Sequence, residues 1–135
     1  MGVVDEKRPL AVLQAASTSF RCGVEFGERN GNLDLVYEYQ RDGGWVRAGL
    51  RFLGVAAYRS RAESLCTLWH VEGVYDTLVE VVPSDWVAEL DRAFEAHDDG
   101  IPRDETHHFM IYVDSAGSFE VAASSWSWLP EEPAE

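Results

Sequence analysis

Apolar and polar residues alternate most regularly along LDLVYEYQ-RDGG-WVRAGLRF, residues 33–52. Leu33, Leu35, Tyr37 and Tyr39 share one parity while Asp34, Glu38 and Gln40 take the other; past the turn, Val46, Ala48, Leu50 and Phe52 alternate with Arg47 and Arg51. Period two on both arms predicts a hairpin with one dry and one wet face. Asp42-Gly43 suits a two-residue turn with positive φ at both central positions, a register that sets Glu38 opposite Arg47 and Asp34 opposite Arg51. These arginines are thereby explained as cross-strand ion pairs of about 0.2–1 kcal/mol each, with no ligand required. Beyond Gly54 the apolar positions change parity, which predicts a bulge or bend.

Further strands are expected at FRCGVEFG (20–27), SLCTLWHVEG (64–73) and YDTLVEVV (75–82); LAVLQAAS (10–17) fits either strand or helix. Pro83 closes the run at 75–82, and Ser84 is placed to cap a helix over 84–97, where Trp86, Val87, Leu90, Ala93, Phe94 and His97 form one apolar stripe. Gly100 suits the helix end. HHFMIYVD-SAG-SFEVAAS, residues 107–124, predicts a second hairpin whose inward face carries His107, Phe109, Ile111 and Val113, leaving His108 outward. The fold expected is α+β: one curved antiparallel sheet of six or seven strands with one main helix, about 84–97, packed on it. Residues 1–135 form a single domain with loose ends at about 1–8 and 130–135.

Charge adds what periodicity does not show. The 135 residues hold 11 basic and 24 acidic side chains, a net charge of −13. Residues 1–71 carry nine basic and eight acidic groups and residues 72–135 two and sixteen, so +1 and −14 make up that total. No basic footprint exists for nucleic acid, and no apolar run reaches the roughly 20 residues that cross a bilayer. The start, MGVVDEKRPL, lacks the apolar core of a secretory signal, so a cytoplasmic location is expected. Cys22 and Cys66 lie in no disulfide or metal framework and are expected as free thiols.

The densest potential ligands lie at His97, Asp98, Asp99, Asp104, Glu105, His107 and His108. Adjacent histidines on a strand point to opposite faces, so they cannot join one zinc site as the two of HExxH do. No metal, cofactor or catalytic set is therefore assigned. A small metal-dependent enzyme or ligand-binding domain centred on His107, with His97, His70 or Asp104, stands as an alternative. Asp85 with Glu89, and Asp91 with Glu95, are like-charge pairs four residues apart, an arrangement that weakens a helix. An acidic edge of Asp85, Glu89, Asp98, Asp99, Asp104 and Glu105 is thus the candidate binding surface, and a basic protein is its expected partner. Acidic mimicry of DNA uses the same electrostatics. Trp126 and Trp128, on one face of an extended tail, either latch that tail to the core, the reading favoured here, or stand exposed as an aromatic anchor for a partner.

The runs YDTLVEVVPSDWVAEL and HHFMIYVDSAGSFEVAASSW, within residues 75–126, resemble a pattern of small acidic bacterial α+β proteins: a strand, a Trp-containing helix and an IYVDxxGxFEV hairpin. Proteins of that size, acidity and layout include immunity proteins, which bind and neutralise toxins. The resemblance implies a binding role and supplies no catalytic residues.

Overall fold

A computed structural model describes residues 5–97, 100 and 102–135. The described residues form ten strands and two α-helices, in the order β1 (Glu6–Val12), β2 (Arg21–Arg29), β3 (Asn32–Arg41), β4 (Gly44–Leu53), β5 (Ala57–Arg61), α1 (Leu68–Val71), β6 (Thr77–Val82), α2 (Asp85–Ala96), β7 (His107–Val113), β8 (Gly117–Ala123), β9 (Ser125–Trp128) and β10 (Glu132–Ala134). In place of one curved sheet there are two antiparallel five-stranded sheets. One runs β1-β6-β7-β8-β5; the other runs β10-β4-β3-β2, with β9 also paired to β4.

The first hairpin takes the predicted register, Asp34 opposite Arg51 and Glu38 opposite Arg47. Asp42 and Gly43 both have positive φ, 51° and 80°, as the turn demands. Gly54, at φ 64°, is where the chain leaves one sheet for the other, since β4 ends just before it and β5 pairs with β8. The parity change after β4 is therefore a change of sheet.

Inward residues of both sheets make one core. Leu33, Leu35, Tyr37, Leu50 and Phe52 come from one side and Leu78, Phe109, Ile111, Val113, Phe119 and Val121 from the other. A second cluster (Val74, Val79, Val81, Met110 and Tyr112) lies on the opposite face of β6 and β7, against Cys66 and Val71. The β7–β8 hairpin is consequently covered on both sides, which explains its nearly continuous apolar sequence.

Two segments depart from expectation. Residues 64–73, expected as strand, hold a 3-10 turn at Glu63–Leu65 and the helix α1. The Thr67 amide donates to His70 Nδ1 at 3.0 Å, a local bond that competes with a strand ladder. The ends, expected to be loose, are paired where the structure describes them: β1, from Glu6, aligns with β6, and β10 lies along Trp45–Arg47 of β4, while residues 1–4 lie outside the described residues. The free edge of β4 explains the ordered tail, because unpaired strand N–H and C=O groups are satisfied by β9, β10 and the Leu129 amide, which donates to the Gly49 carbonyl at 2.8 Å. Trp126 packs on the core, whereas Trp128, 40% exposed, only meets Trp126 edge-on at 5.4 Å, so the tail is held by Trp126 alone of the two. No described helix is long and apolar enough to cross a membrane.

Candidate functional site

The outer face of β5, β7 and β8 carries an ordered polar network. Arg59 on β5 lies opposite Glu120 on β8 and grips its carboxylate through two bonds of 3.0 Å. His108 Nε2 meets the same carboxylate at 2.8 Å, and His108 Nδ1 meets the Ser84 hydroxyl at 2.8 Å. A carboxylate only accepts, so Nε2 carries a proton, while the direction of the Nδ1–Ser84 bond follows the protonation of the ring. Ser84 in turn accepts the Val87 amide at 3.1 Å, which makes it the predicted N-cap of α2. Trp86 completes the contact, its ring edge-on to His108 at 5.0 Å and under the Arg59 guanidinium at 4.1 Å.

Burial raises the Glu120 pKa, but the bonds from His108 and Arg59 outweigh it and hold the acid at about 2. On the other flank, the His70 ring accepts from the Thr67 amide, and burial, followed by the Arg61 charge, lowers its pKa. Val71 of α1 packs on the cluster of Met110 and Tyr112, and Trp86 of α2 packs on His108, residues of one parity on β7, so α1 and α2 sit on the same face of the sheet.

A serine hydroxyl bonded to a histidine whose other nitrogen faces a carboxylate has the order of a hydrolytic relay. Here His108 is only 4% exposed and the Glu120 charge is already taken by Arg59. The network docks α2 onto the sheet by its N-terminus.

The histidines thus differ from expectation in one respect. His107 does lie on the core side beside Phe109, at the rim, with Nδ1 2.7 Å from Glu80 and Nε2 4.0 Å from Glu105. His108, expected outward, is buried, because the helices cover the face it points to. His97 ends α2, its amide donating to the Phe94 carbonyl at 3.0 Å. Among the described residues no three His, Cys, Asp or Glu side chains are grouped to hold a metal ion. Cys22 and Cys66 are free.

Of the acidic edge, Asp85, Glu89, Asp104 and Glu105 are exposed; Asp98 and Asp99 lie outside the described residues. Asp104 lines a cleft with Phe94 and Arg103, where the Arg103 guanidinium stacks 3.6 Å over the Phe94 ring and so folds this loop against the end of α2. Three acids of β2 and β3, though not Glu28, contrast with those of α2. Asp34 takes two bonds of 2.9 Å from Arg51, Glu38 pairs with Arg21 at 3.1 Å, and Glu25 serves Arg47 and Arg29 at 3.0 and 3.3 Å. The bulge between Arg21 and Val24 brings Arg21 to Glu38, so that Arg47, opposite Glu38 in register, turns to Glu25 instead. Among the described residues, Asp85, Glu89, Asp91 and Glu95 have no basic partner.

The fold thus defines a mostly β, two-sheet antiparallel protein with helices covering one outer face. No family model, curated protein or solved structure matches the chain. The Arg59–Glu120–His108 network was missed from sequence, although a glutamate inside the apolar run SFEVAA was its visible signal. A lone acid in a strand buried on both faces requires a partner.

Proposed function

We propose that this chain is a non-enzymatic protein-binding module of the toxin-immunity or inhibitor type, presenting the acidic face of α2 and residues 104–105 to a basic protein. The supporting observation is the division of charge: Glu25, Asp34, Glu38 and Glu120 of the sheets are paired with arginines, although Glu28 and Glu132 are not, whereas all four acids of α2 are left without counter-ions. Asp85 is favoured by the positive start of α2, but like charges four residues apart cost about 0.2–0.5 kcal/mol per pair. A partner of opposite sign would turn that cost into faster encounter.

The test is affinity capture, identification of the bound protein, and measurement of the purified pair at low and high salt. Binding should weaken as salt rises and fall at least tenfold in the Asp85→Lys, Glu89→Lys double variant. Salt-insensitive binding, or full affinity in that variant, would remove the acidic face from the interface. The partner's own ligand distinguishes a toxin from a DNA-binding protein held by acidic mimicry.

A further inference from the structure

On the outer face of β2, β3 and β4, across the shared core from α2, a cleft of about 300 Å³ is lined by Arg29, Arg47 and Arg51. Arg47, Gly49 and Arg51 share that face of β4, opposite Glu38, Val36 and Asp34 of β3. A Cβ at Gly49 would lie 2.0 Å from the Leu35 carbonyl oxygen, so β4 puts no side chain between the two arginines. Val36, nearly buried, forms the floor, and Leu129 and Pro130, between β9 and β10, form one edge. In the register predicted from sequence each arginine of β4 has its own acid. The bulge that gives Glu38 to Arg21 removes one of them, and Arg47 and Arg29 then converge on a single oxygen, Oε2 of Glu25, at 3.0 and 3.3 Å. Glu25 is a loose partner, its side chain 63% exposed, whereas Arg51 is fixed by two bonds to the buried Asp34. A guanidinium has more N–H donors than these bonds use, and among the described residues no acceptor takes the rest. Glu132, opposite Arg47 on β10, lines the cleft without an ion pair.

We propose that this cleft binds a small organic anion, whose carboxylate or phosphate group displaces Glu25 from Arg47 and Arg29 while its apolar body lies on Val36 and Leu129. The planar fork of N–H donors on a guanidinium matches either oxyanion, and the point where two such forks already meet on one carboxylate oxygen is where the anion enters. The volume is at the small end of ligand clefts, which selects a small molecule over a peptide or nucleic acid. Net charge does not oppose it on this side. The excess acid lies in residues 72–135, whereas residues 1–71, which supply β2, β3 and β4, hold nine basic and eight acidic groups. The site is separate from the acidic face of α2, which belongs to the other sheet, and either can fail without the other.

Phenyl phosphate and benzoate, with inorganic phosphate as the anion lacking an apolar body, test the proposal on the full chain by titration calorimetry and amide shift mapping. At least one aromatic anion should bind saturably and more tightly than inorganic phosphate, with shifts on β2, on β4 and at Leu129, and the tighter of the two tells a phosphate site from a carboxylate site. Arg47→Gln should weaken that binding at least tenfold, whereas Glu25→Gln, which removes the internal competitor, should tighten it severalfold. Asp85→Lys with Glu89→Lys should leave it unchanged. Arg51 is kept in every variant, because its loss would strand the buried Asp34 carboxylate. Arg47 and Glu25 lie at the surface, so circular dichroism should show an unchanged fold. No saturable binding of either aromatic anion, equal binding of inorganic phosphate, native affinity in Arg47→Gln, or no gain in Glu25→Gln overturns the site.

Discussion

Glu120 shows at the scale of one residue how burial and bonding compete. Its folded pKa of about 2 lies below its ordinary value of 4.5, so the stability it contributes is complete above pH 4.5 and is lost as pH falls from there toward 2. At 1.36 kcal/mol per unit the loss is on the order of 3 kcal/mol. His70 acts earlier in the same direction: its pKa is lowered by burial, so the unfolded chain takes up its proton first and stability begins to decline below pH 6.5. Unfolding midpoints in urea, followed from pH 7 to pH 2, should decline in these two stages. Glu120→Gln should be less stable at neutral pH, because Arg59 loses its counter-charge, and flatter between pH 4.5 and 2. A variant that keeps the native slope in that window would show that another carboxylate governs acid unfolding.

At the scale of an element, α2 has opposing demands on its two sides. Its N-terminus is fixed by the Ser84 cap and by Trp86 against His108, while Asp85 and Glu89 repel each other on the outside. Glu89→Lys converts that repulsion into an attraction, so it should raise stability by a few tenths of a kcal/mol, read as a higher denaturation midpoint, while weakening the partner complex. A single replacement that stabilises the chain and impairs binding separates a functional charge from an indifferent one. If stability and binding fall together, the acidic side of α2 is part of the fold's own support.

For the whole molecule, the C-terminal tail completes a sheet. β9 and β10 lie along β4, Trp126 packs on the shared core, and Glu131 bonds both Tyr39 and Arg41. Removing residues 125–135 would bare the β4 edge and part of the core, so the shortened chain should melt at lower temperature and aggregate, as read by light scattering during thermal unfolding. Glu131→Gln keeps the strands and should remain soluble. A truncated chain that stays monomeric with an unchanged midpoint would contradict this account of the tail.

The sequence alone determined the local geometry. Alternation and turn chemistry placed both hairpins, the Asp34–Arg51 pair and the bend at Gly54, while Ser84 and the apolar stripe placed α2 to within a residue, because these signals act between near neighbours along the chain. The concentration of uncompensated acid in the C-terminal half was also legible, since charge needs only counting. Tertiary structure decided how many sheets there are, which outer face the helices cover, and hence that His108 is buried and Glu120 is held by Arg59, 61 positions away in the chain. It also made a strand-like run at 64–73 into a helix that displays Leu68 and Trp69. Period two distinguishes two faces of a strand but not what lies against each, and that depends on contacts between segments far apart in sequence.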